Sequence, residues 1–206
     1  MILLLPLLVL SLAAASPARA QDETPVDTTV SGQPAAAARL LPPRLGPMER
    51  LLWGERGAMR HLGMPLTQEN REREIFLRRN LLTAHQVGGF LTLGAMTATA
   101  ITGQMMINDP ERDLEDRKVL LVNATIFSYF ATALLAAVTP PPMHRRDQWS
   151  SISWHKLLAT VHFTGMIVTP ILGRQIDGDR DRERVHQYAG YATLAAFTGA
   201  MIVVTF

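Results

Sequence analysis

The chain has 206 residues, 48% of them hydrophobic and 18% charged, with a formal net charge of +2 and no cysteine. So small a net charge gives no footing for a nucleic-acid partner, and the lack of thiols excludes disulfides, thiolate metal centres and covalent haem attachment. Any metal or cofactor must be held by His, Met or carboxylate, and the apolar residues come in blocks instead of at amphipathic spacing, which points to lipid.

The first block, MILLLPLLVLSLAAASPARAQ, has a short apolar core followed by Ala-Arg-Ala. Small residues at those positions predict a secretory signal peptide over residues 1–20, cut after Ala20. The segment lacks a basic start, so an uncleaved anchor is the alternative. Residues 21–47 are rich in Pro, Ala, Thr and Asp without a periodic apolar face, the composition of a flexible linker. Residues 48–80 read as an interfacial and juxtamembrane helical segment. Leu51, Leu52, Met59 and Leu62 interleave with Arg50, Arg56 and Arg60 beside Trp53, as in an amphipathic helix lying in the membrane surface, although Gly54 and Gly57 weaken the helix. Thr67 is the expected N-cap of a charged helix that runs into the first span.

Four apolar blocks follow, at about 81–106, 119–139, 152–173 and 186–206, each close to the ~20 residues that cross a bilayer. The expectation is an all-α fold, a four-helix transmembrane bundle over residues 81–206, embedded in the lipid bilayer of the cell inner membrane. With the signal peptide cut, the N-terminal segment and the Pro-rich loop 139–149 face the periplasm, and the charged connectors 108–118 and 174–184 face the cytoplasm. Trp149 and Trp154 read as interfacial anchors, and Pro170 as a tolerated kink. His61 and His144 read as solvated.

The remaining histidines are not scattered. His85 opens the first span, His155 and His162 lie on the third, His186 opens the fourth, and the second has none. An ionisable side chain at or within a bilayer is costly and marks a functional site by default. His85 and His186 also head a repeat, HQVGGFLTLGAMT and HQYAGYATLAAFT. At helical spacing His85, Gly89, Thr92 and Met96 share a face, as do His186, Gly190, Thr193 and Phe197, and on the third span His155, Ala159, His162, Met166 and Thr169. A glycine one turn from an imidazole leaves room for a flat macrocycle, so Gly89 and Gly190 join the histidines as cofactor-binding candidates. The competing reading is that small residues serve close helix packing and that His is an interhelical hydrogen bonder, which would make the chain a haem-free accessory or scaffold subunit. No Asp or Glu lies inside the spans, which argues against a di-iron carboxylate site.

The HQxxGYxTL and HKLLATVH runs resemble the haem-binding helices of the cytochrome b561 family and related membrane b-type cytochromes. The resemblance covers residues 81–206 and implies non-covalent haem b, with iron held by histidines of neighbouring helices, and electron transport in or across the membrane to a quinone or a redox partner protein. That family has more helices and four ligating histidines for two haems, whereas the second span here supplies none, so one haem is expected and a second at His186 is left open. Because spans one and three run the same way, His85 pairs with His162 or His155, and the deeper His162 beside Gly165 is the preferred partner.

Overall fold

The computed structural model describes residues 40–144 and 148–205, so the expected signal peptide and the linker up to residue 39 lie outside it. Every regular element among the described residues is a helix: α1 Pro47–Trp53, α2 Ala58–His61, α3 Gln68–Asn108, α4 Glu115–Ala137, α5 Ser151–Gly173 and α6 Arg180–Thr205. The last four are long and apolar enough to cross a membrane, the make-up of a multi-pass membrane protein. Helices answer the demand that lipid makes of a backbone, since all their N–H and C=O groups are satisfied within one segment.

Helix α3 is 41 residues long. At ~1.5 Å per residue it extends about 60 Å, twice the ~30 Å of a hydrocarbon layer. Its first part, opened by Thr67 accepting from the Asn70 N–H at 3.3 Å, therefore projects beyond the span. On α4, Leu120, Phe127 and Leu134 recur every two turns and stand 61–78% exposed, a stripe with no protein neighbour and every reason to face lipid chains.

The four long helices close into a ring of antiparallel neighbours. Thr99 and Thr125 hydroxyls meet at 2.9 Å between α3 and α4, and Phe130 meets Phe163 edge-on between α4 and α5. Between α6 and α3 the Gln104 carbonyl oxygen accepts from Gln187 and from Tyr191, each at 2.7 Å. Leu93, Met96, Tyr129, Met166 and Phe197 fill the middle. Two approaches are so close that only glycine fits: a Cβ on Gly88 would lie 2.4 Å from the Thr132 hydroxyl, and one on Gly165 would lie 2.1 Å from that of Thr193.

The charged helix capped by Thr67 runs into the first span as expected, whereas residues 47–64 do not form the single amphipathic helix expected of them. The helix breaks between Gly54 and Gly57, where a Cβ on Gly57 would meet the Leu52 carbonyl at 2.6 Å. Trp53 is buried, not interfacial, and its indole N–H donates to the Val138 carbonyl at 2.9 Å. Around it a buried charge cluster forms a cap on the bundle: Glu74 pairs with both Arg60 and Arg71. Arg71 also donates to the Leu40 carbonyl at 2.8 Å and the Pro141 carbonyl at 3.2 Å, and Arg60 to the Trp53 and Met64 carbonyls at 2.7 and 3.0 Å. Sequence reasoning placed Arg60 at a lipid surface because an Arg-flanked apolar stripe has the same pattern in either setting. Leu51 and Leu62 do remain exposed on the outside of the cap.

Candidate functional site

At the capped end of the bundle a cavity of about 370 Å³ opens between the helices. Ala133 and Ala136 on α4, Ala159 on α5 and Gly89 on α3 supply small walls, and His85, His155 and His162 all line it. The volume lies within the range of small-molecule and cofactor sites.

Each imidazole is fixed by what faces its Nδ1. His85 Nδ1 lies 2.9 Å from the Thr132 carbonyl on α4, and His155 Nδ1 lies 2.9 Å from the Ala200 carbonyl on α6. A carbonyl can only accept, so both rings donate from Nδ1, and a neutral ring that does so carries a bare lone pair on Nε2. This is how metal-binding histidines are usually prepared, with the second N–H given to a carbonyl that fixes tautomer and orientation. The two ring centres are 6.2 Å apart with planes at 89°. A metal bonded to both at about 2.0–2.1 Å would separate the ring centres by roughly this distance.

His162 is held differently. Its Nδ1 is 2.8 Å from the Tyr129 hydroxyl, and both residues are buried. Either the tyrosine donates to Nδ1 or Nδ1–H donates to the tyrosine, and the distance fits both. Where the tyrosine donates, the neutral ring carries its own proton on Nε2 and has no lone pair there for a metal. The sequence favoured His162 as the partner of His85; the structure sets the His85 and His155 rings 6.2 Å apart and places His162 against Tyr129. Sequence reasoning passed over Tyr129, and its signal was the single phenol in the second span.

His186 repeats the first arrangement elsewhere. Its Nδ1 donates to the Thr169 carbonyl at 2.9 Å, and its ring packs on Gly173, where a Cβ would lie 3.0 Å away. Thr169 is fourteen residues along α5 from His155, about 21 Å, so His186 belongs to the other end of the bundle. The repeat shares one further detail: Thr92 and Thr193 each bond back to the carbonyl four residues earlier, at 2.8 and 2.7 Å. The two glycines differ. A Cβ on Gly89 would press on the Met201 sulfur at 2.9 Å at the cavity wall, whereas Gly190 has only ordinary contact with Thr169 at 3.7 Å and is remote from the cavity.

Among the described residues no group of three or more His, Asp or Glu gathers to hold a metal ion. Two imidazoles suit the two axial positions of a haem iron, while a bare ion would need further donors. Comparison with protein-family models, with curated proteins and with solved structures finds no match to this chain. The class of molecule therefore rests on fold and site alone: a helical, multi-span membrane protein with a paired-histidine cavity.

Proposed function

We propose that the chain is a membrane b-type cytochrome of the kind its resemblance to cytochrome b561 implies, with haem b held between α3 and α5 by His85 and His155. When bound, the group would supply reversible one-electron exchange at iron. The observation that carries this reading is the pair itself: two imidazoles 6.2 Å apart, each with Nδ1 donated to a carbonyl and Nε2 left bare, at a cavity walled by alanine and glycine. Thr132 and Ala200 orient the ligands, the alanines leave space for a flat ring, and the cap formed by Trp53, Arg71 and Glu74 covers the end of the bundle against water. The two ends of the chain and the cap lie on the periplasmic side of the inner membrane, and the partner in electron exchange is a quinone or a redox protein.

The absorption spectrum of the full chain purified in detergent from haem-replete cells tests this. Low-spin, reducible b-type bands are expected, and His85→Ala or His155→Ala should each lose haem or turn it high-spin. A folded and colourless wild-type protein would return the chain to the scaffold reading, for which the tight Gly88 and Gly165 contacts would suffice.

A further inference from the structure

His162 is 8% exposed and lines the cavity, yet only one of its two nitrogens has a hydrogen-bond partner among the described residues. With Tyr129 donating to Nδ1, the other nitrogen is a donor, Nε2–H, on a ring that forms part of the cavity wall. A buried donor without an acceptor costs far more than an ordinary hydrogen bond contributes. Phe163 and Phe197, beside it in the cavity wall, offer no acceptor.

We propose that His162 is the floor donor of this site: its Nε2–H hydrogen-bonds an acceptor oxygen of whatever group fills the cavity, and Tyr129 locks the tautomer that does so. The assignment rests on the haem reading and deepens it. His162 lies two helical turns, about 10 Å, from His155 along α5, which puts it away from the iron and toward the rim of a ring held by His85 and His155. The acceptor is an oxygen either of a haem carboxylate side chain or of a water trapped between the haem and the floor. Both place the same demand on the protein, a neutral donor held at fixed depth in an apolar wall.

The test uses the full chain in detergent, reconstituted with iron protoporphyrin IX, and follows haem loss to apomyoglobin optically. His162→Phe should keep the low-spin spectrum, because no ligand is removed, and lose haem on the order of ten- to a hundredfold faster, as expected for one strong hydrogen bond. His162→Gln, whose amide can still donate, should recover part of the difference. Tyr129→Phe, which releases the tautomer without touching the ring, should give a smaller acceleration and serves if His162→Phe does not fold. With the dimethyl ester of the same porphyrin, a difference between wild type and His162→Phe that disappears identifies the carboxylate, and one that persists identifies the water. A high-spin His162→Phe, or an unchanged rate of haem loss in it, overturns the assignment while the haem reading stands. A wild-type chain that takes up no haem overturns both.

Discussion

Replacing Glu74 by glutamine should open the cap while leaving the spans inserted. The Glu74 and Arg71 side chains are fully buried and that of Arg60 is 7% exposed, so the single carboxylate is the counter-charge for two guanidiniums that water does not reach. Removing one partner of such a cluster leaves uncompensated buried charge and costs about 3–5 kcal/mol, two to three and a half powers of ten in the local opening equilibrium. Little of this is felt by the lipid-embedded part, because local opening draws only on the contacts of the unit that opens. Limited trypsin digestion in detergent reads the result, since Arg50, Arg56 and Arg60 are cleavage sites within the cap and digestion follows the open population when reclosing is fast. Glu74→Gln should raise the rate of cleavage there a hundredfold or more. The exposed pair of Arg73 and Glu69 provides the control: both side chains are more than two-thirds exposed, so Glu69→Gln should leave the rate unchanged. If Glu74→Gln resists trypsin as wild type does, the buried cluster does not hold the cap.

Two glycine replacements should separate site from scaffold. Gly89→Leu drives Met201 into the cavity and should abolish haem retention with the bundle intact, whereas Gly165→Leu collides with Thr193 and should lower the thermal midpoint in detergent whether or not haem is present; equal effects of both on stability would favour pure packing. His186→Ala should leave haem content and spectrum unchanged, and a loss as large as that of His85→Ala would reveal a second site at the far end of the bundle. A reporter fused after Phe206 should be active only in the periplasm, and cytoplasmic activity would reverse the topology.

The four spans were legible because each is an uninterrupted apolar block of membrane-crossing length between charged connectors, and Thr67 as an N-cap followed from its place before a charged helical run. The grouping of His85, His155 and His162 at one end also followed from helix direction and spacing. Which of them pair did not, because depth and dryness, the grounds for choosing His162, say nothing about tautomer. That is set by atoms on other helices: the carbonyls of Thr132 and Ala200, and the hydroxyl of Tyr129, which is 33 residues away in sequence from His162. The cap was hidden for the same reason, since Trp53 finds its acceptor at Val138, 85 residues on.

The cap and the histidine pair share helix α3, which runs without a break from Glu74 through Arg78 to His85. Arg78 donates to the Pro140 carbonyl at 2.7 Å and Trp53 to that of Val138, and both ties fix the end of α4 two turns beyond Thr132, the residue that orients His85. On the other side Ala200 orients His155 from the end of α6. Each of these rings gives one nitrogen to a backbone carbonyl of the neighbouring helix, which fixes its orientation, and the two ring centres lie 6.2 Å apart. Packing accounts for the two carbonyl bonds, and the proposed coordination would account for the spacing of the rings as well.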